Sequence, residues 1–182
     1  MIPEGISLIS PQRLDNLKAF LRVAPPGAVV EVGTYWGGTL RRLAVACPDR
    51  QCYGYDTFTG MPVASGKDNH YKEGDLQVDY DSVLTTMTGV GNVVLVRGLY
   101  PWSDYLRPCP VALAHIDVDI YSSTINAMRW IYDLMCPGGR IYCDDAGESE
   151  CEGATAAMQE FSGEKGLTIE MDPDWHQYLV VP

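Results

Sequence analysis

The sequence predicts an α/β fold, a mostly parallel sheet of seven strands with helices on both faces and an antiparallel last strand. Three observations predict it. Apolar strand-like runs alternate with helix-periodic segments along the whole chain. A glycine-rich turn follows the first strand-like run. Aspartates recur directly after later runs, where parallel sheets open their ligand crevices.

Ser10-Pro11 reads as a helix start, a hydroxyl cap followed by Pro at the first helical position. Leu14, Leu17 and Leu21 then recur at helical spacing until Pro25-Pro26. Ala28 to Val32 is a short apolar run closed by Gly33, the pattern of a strand buried on both faces. Leu40, Leu43, Ala44 and Cys47 form a helix face that Pro48 ends, and Gln51 to Tyr55 is the second strand. Residues 57–75 break the rhythm with a polar stretch carrying Gly60, Gly66 and Gly74. It is long for a connection, which makes 57–80 the candidate lid loop. Asn92 to Arg97 and Val111 to Ile116 are the third and fourth strands. From Ser122, the residues Ile125, Met128, Tyr132 and Met135 mark a helix that Pro137-Gly138-Gly139 ends, and Arg140 to Cys143 is the fifth strand. Ala154, Ala157, Met158 and Phe161 mark the last helix, ended by Gly163 or Gly166. Leu167 to Glu170 and Gln177 to Val181 flank the turn Asp172-Pro173-Asp174 and read as an antiparallel closing pair.

A chain of 182 residues is the length of one domain, 1–182, and 46% hydrophobic residues supply a core without covalent staples. Lys and Arg total 13 against 24 Asp and Glu, a formal charge of −11. That balance argues against nucleic acid and anionic membrane surfaces as partners. No apolar run nears the ~20 residues of a membrane span. Met1-Ile2-Pro3-Glu4-Gly5 lacks the basic stretch and apolar core of a secretion signal, so a cytoplasmic protein is expected. The six cysteines, Cys47, Cys52, Cys109, Cys136, Cys143 and Cys151, contain no CxxC pair. Several lie in apolar stretches, the setting of buried free thiols.

The chemistry lies after the strands. Glu31-Val32-Gly33-Thr34-Tyr35-Trp36-Gly37-Gly38-Thr39 lets backbone approach a ligand closely and offers the N–H groups of the next helix. It is neither a G-x-G-x-x-G nor a Walker pattern, and tight packing alone could also require its glycines. Asp56 ends the second strand about 25 residues past Glu31, where an acidic side chain commonly accepts hydrogen bonds from a ribose diol. Together the turn and Asp56 point to an adenosine-bearing cofactor. Asp117 and Asp119 follow the fourth strand and Asp144-Asp145 the fifth. Four carboxylates at adjacent strand ends would repel, which a hard divalent cation such as Mg²⁺ would resolve; solvated aspartates at loop starts explain one such cluster easily and two at neighbouring strand ends less well. His115 points to the same face as Asp117 but deeper, as a core histidine with a backbone partner, while His70 and His176 have no motif around them.

The Glu31 to Thr39 segment resembles the S-adenosylmethionine motif of class I methyltransferases. Asp56-Thr57-Phe58-Thr59-Gly60-Met61-Pro62, His115 to Thr124, and Pro137-Gly138-Gly139 leading to Asp144-Asp145 resemble the macrocin O-methyltransferase (TylF-type) family, over about Val29 to Phe161. The resemblance implies a Rossmann-like methyltransferase fold and a Mg²⁺-dependent enzyme that methylates a hydroxyl of a small molecule, a natural-product sugar or phenol. It further implies that Glu31, Gly33, Thr34, Tyr35, Gly38 and Thr39 lie against S-adenosylmethionine and that Asp56 with Thr57 holds its ribose. Asp117, Asp144 and Asp145 would hold the metal, with Asp117 also acting as base. A homodimer stays open. Two other readings compete: a D-x-D glycosyltransferase, which Asp117-Val118-Asp119 fits locally, and a non-catalytic nucleotide-binding domain, which needs no metal cluster.

Overall fold

The computed structural model describes residues 5–68, 70–99 and 110–182. Helix α1, Pro11–Leu21, starts where Ser10 Oγ accepts from the Arg13 N–H at 3.1 Å, and it buries Leu14, Leu17, Phe20 and Leu21. Strand β1, Ala28–Val32, is buried at every position, so it shows no alternation. Then come α2 (Gly38–Ala46), β2 (Cys52–Asp56), α3 (Tyr80–Thr86), β3 (Val93–Arg97) and β4 (Val111–Ile116). Helix α4 (Tyr121–Tyr132), β5 (Met135–Cys143), α5 (Glu152–Lys165), β6 (Ile169–Met171) and β7 (Gln177–Val180) complete the chain.

The seven strands are ordered β3-β2-β1-β4-β5-β7-β6. The chain builds outward from β1 to β3, then returns to lay β4 on the other side of β1. That reversal opens a crevice beyond the carboxyl ends of β1 and β4. β1 to β5 pair in parallel, and β7 runs antiparallel to both neighbours. One face of the sheet packs on α4 and α5 through Ile125, Met128, Met158 and Phe161. The other packs on α1, α2 and α3 through Leu17, Leu40, Leu43 and Val83. Cys47, Cys52, Cys136, Cys143 and Cys151 are buried free thiols, and Cys109 lies outside the described residues.

Two sequence expectations are corrected. Met135 belongs to β5 and not to the helix before it, which ends at Tyr132. Pro137-Gly138-Gly139 is an irregularity inside that strand: Val111 pairs with Met135 and Leu113 with Arg140, so extra residues bulge out, and Gly138 takes φ +78°. The second correction is the end of the candidate lid 57–80, where Tyr80 is already the first residue of α3. Asp79 starts it by accepting from the Ser82 N–H at 2.9 Å.

Candidate active site

The parallel ladder continues past the strand ends and sets the acidic residues side by side. The Asp117 N–H donates to Val32 O at 2.9 Å, and the Asp144 N–H donates to Ile116 O at 2.9 Å. Asp145 Oδ2 then accepts from the Val118 and Asp119 N–H groups at 3.1 and 2.8 Å, fixing the D-x-D turn, where Asp119 has φ +58°. Asp117, Asp144 and Asp145 each offer an oxygen within 4.8 Å of the others.

Burial and mutual repulsion perturb these acids. Burial, then the charges of Asp144 and Asp145, holds the Asp117 carboxyl well above its usual range. Burial with the charges of Asp119 and Asp144 pushes Asp145 up to about 8. Burial raises Asp119 to about 6, against a hydrogen bond from Tyr71. Asp144 goes the other way. Burial raises it, but His115, His176 and Arg13 outweigh that and leave it low. Arg13 donates to Asp144 O at 2.8 Å and to Asp144 Oδ2 at 3.1 Å, so α1 clamps the end of β5.

A cleft of about 270 Å³ joins this cluster to the glycine-rich turn. Of the residues singled out in the sequence, Gly33, Thr34, Tyr35, Thr39, Asp56 and Thr57 line it at one end, and Asp117, Asp144 and Asp145 at the other. Asp56 Oδ2 accepts from the Tyr35 N–H at 2.8 Å and Oδ1 from the Phe58 N–H at 2.7 Å, so one carboxylate holds the turns that follow β1 and β2. Gly33 has φ +94°, and a Cβ there would run into the Asp117 carbonyl. Its glycine is thus required by the close packing of two strand ends.

Glu31 and Gly38 do not line the cleft. Glu31 is 1% exposed, and its Oε1 lies 3.2 Å from His115 Nδ1. His115 therefore has a carboxylate partner rather than a backbone one. Gly38 donates its N–H to Ile6 O at 3.1 Å, and the missing side chain makes room for that carbonyl. The segment it seats, Ile6 to Ile9, forms a wall of the cleft, with Ser7 Oγ 2.6 Å from Thr39 Oγ1. Nothing in the local pattern of Ile6 to Ile9 announces that role. Tyr71 and Leu76 of the candidate lid also line the cleft. Among the described residues no helix is long and apolar enough to cross a membrane.

The family model for macrocin O-methyltransferase (TylF) matches residues 2–176. The chain is 29% identical over 185 residues to an 8-demethyl-8-(2,3-dimethoxy-alpha-L-rhamnosyl)-tetracenomycin-C 4'-O-methyltransferase of Streptomyces olivaceus, a match covering 89% of this chain and 69% of that protein. It is 26% identical to a mycinamicin III 3''-O-methyltransferase of Micromonospora griseorubida, over 91% of this chain and 75% of that one. The fold superposes on the O-methyltransferase NovP with a TM-score of 0.77 at 21% identity, covering 96% of this chain and 81% of that chain. It also matches the O-methyltransferase TomG from Streptomyces achromogenes, solved in complex with SAM, with a TM-score of 0.62 at 14% identity over 96% and 82% of the two chains. The D-x-D glycosyltransferase and the non-catalytic domain are set aside by the family match.

Proposed function

The chain belongs to the macrocin O-methyltransferase (TylF) family and is an S-adenosylmethionine-dependent O-methyltransferase, and from that premise we propose that it methylates a hydroxyl of a natural-product sugar with the help of Mg²⁺. The observation that carries the metal reading is the convergence of Asp117, Asp144 and Asp145 in the cleft that also holds Asp56. The donor set is all oxygen, as Mg²⁺ prefers. The sugar reading draws on the relatives, one of which is named for a rhamnosyl substituent.

Bound in the cleft, S-adenosylmethionine supplies an electrophilic methyl group. Mg²⁺ held by the three aspartates would lower the pKa of an acceptor hydroxyl. The remaining work falls to the chain itself. Asp56, oriented by the Tyr35 and Phe58 N–H groups, keeps lone pairs for the ribose hydroxyls. Gly33 and Thr34 border the same end of the cleft, where backbone can approach the cofactor. The sequence assigned Asp117 both as metal ligand and as base. One carboxylate does not neutralise an ion and accept a proton at once, so we divide the roles. Asp117 stays a ligand, and Asp119, at about 6 and facing the cleft, is ionised near neutral pH and accepts the proton. Ile6 to Ile9, with Thr57, Met61, Tyr71 and Leu76 of the candidate lid, border the cleft, where closure of the lid would screen the methyl group from water.

The test uses a rhamnosylated polyketide acceptor and S-adenosylmethionine. Excess chelator should abolish methyl transfer, Mg²⁺ should restore it, and S-adenosylhomocysteine binding by calorimetry should persist throughout. Asp119→Asn should lower kcat while leaving Mg²⁺ affinity nearly unchanged, whereas Asp117→Asn should lose that affinity. Full turnover in excess chelator excludes the metal reading.

A further inference from the structure

Behind the carboxylate cluster lies a buried ring that methyl transfer does not use. We propose that His115 Nε2, His176 Nε2 and Asp144 Oδ1 form a second metal site, which takes a zinc-class divalent ion. The three atoms lie within 4.8 Å of one another. Both histidines are 0% exposed, and all three atoms are buried without a hydrogen-bond partner. His115 Nε2 stands 3.6 Å from Asp144 Oδ1, and His176 Nε2 stands 3.5 Å from the same oxygen. Those gaps are too long for N–H···O hydrogen bonds, which run ~2.7–3.2 Å. They match the spacing of tetrahedral ligands, about 3.3–3.6 Å apart when metal bonds are about 2.0–2.2 Å.

The far nitrogen of His115 supports the same reading. His115 Nδ1 is 3.2 Å from Glu31 Oε1, and His176 Nδ1 is 3.8 Å from Asp172 Oδ2. His115 thus has one nitrogen held by a carboxylate and the other turned toward the common centre, the carboxylate–histidine–metal arrangement that fixes tautomer and ring, whereas His176 Nδ1 only faces Asp172 without a hydrogen bond. Arg13 binds Oδ2 of Asp144, not Oδ1, and is itself engaged by Glu148 at 2.6 Å, so it leaves the inner oxygen clear. Two imidazoles select zinc, cobalt or iron over Mg²⁺. The alternative occupant is a proton, with a charged His115 bridging Glu31 and Asp144. The site shares Asp144 with the proposed Mg²⁺ cluster, but rests on the histidines and stands or falls without it.

Co²⁺ is the probe, because its visible absorption reports low-coordinate imidazole ligation. Chelator-stripped enzyme is titrated with Co²⁺ in excess Mg²⁺. One equivalent should bind with that absorption. His176→Gln should weaken uptake at least ~100-fold, since even outer partners cost 10–100-fold. Asp117→Asn should leave uptake intact. X-ray absorption of the wild-type Co²⁺ form should count two imidazoles. No uptake in excess Mg²⁺, undiminished uptake by His176→Gln, or fewer than two imidazoles overturns the inference, and the last readout holds whether or not the variant folds. Uptake lost in Asp117→Asn but kept in His176→Gln places the ion among the carboxylates, which defeats this site and leaves the proposed function standing. The converse, a Mg²⁺-independent enzyme that still binds Co²⁺ through its histidines, separates the two readings the other way.

Discussion

Asp68→Ala tests how the 57–80 loop is tied to the acidic cluster. Helix α4 begins at Tyr121, directly after Ile120, and Ile120 has no side-chain oxygen to cap it. Asp68, arriving from the loop, supplies the cap. Its Oδ1 accepts from the Tyr121 N–H at 2.8 Å, while Oδ2 accepts from Ser65 N–H and Oγ at 2.9 and 2.6 Å. Removing a cap costs about 0.5–2 kcal/mol, and the half-buried setting points to about 1. For a chain of this size that lowers Tm by about 2–4 °C. Asp68→Asn keeps an acceptor and should lose less. Gly153→Ala approaches the same contact from α5, because a Cβ there would run into Asp68 Oδ1 and crowd the Tyr121 nitrogen. Ala is favoured over Gly inside a helix by about 1 kcal/mol, yet this substitution should destabilise, and should cost less once Asp68 is already Ala. Thermal melts of the three variants and the double variant measure this. Hydrogen exchange of residues 60–75 with and without S-adenosylhomocysteine adds the functional readout. Exchange should rise in Asp68→Ala and fall on ligand binding in the wild type. If Asp68→Ala melts with the wild type and exchanges like it, the loop is not held by this contact and the reasoning fails.

Two further outcomes follow from the cleft. Asp56→Ala should weaken S-adenosylhomocysteine binding by about 1.5–3 kcal/mol, the scale of hydrogen bonds to a charged group, and calorimetric affinity equal to wild type would refute its role. Asp145 at about 8 and Asp119 at about 6 sit above the usual value near 3.9, so their contribution to stability is complete below about pH 4 and is lost as pH rises toward 8. Mg²⁺ held by the proposed site would replace those protons, so its Tm gain over chelator should be larger at pH 8 than at pH 5, and equal gains would count against the carboxylate site.

The sheet and the acidic half of the site were legible because they are local. Gly33, Asp56, Asp117 and Asp144 each follow an apolar run, and in a parallel sheet the residue after a strand lies at the ligand edge. Helix α3 was not legible, since seven residues are too few for a 3.6-residue period to stand out. Pro137-Gly138-Gly139 was misread because the same residues that end a helix also make a bulge. His115 and His176 were missed for a different reason: their partners come from strand register, which no local pattern carries. Glu31 is the cross-strand partner of His115 in the β1–β4 pairing. Cys143 pairs with Gln177 in the antiparallel β5–β7 ladder, so the next step of that ladder sets Asp144 against His176. His176, with no motif around it, reaches Asp144 only because β7 is inserted between β5 and β6. A one-residue slip of β7 would turn His176 to the opposite face and open the ring. The inserted strand therefore does more than close the sheet, because its register brings a second imidazole to the inner oxygen of a carboxylate that the cleft already uses.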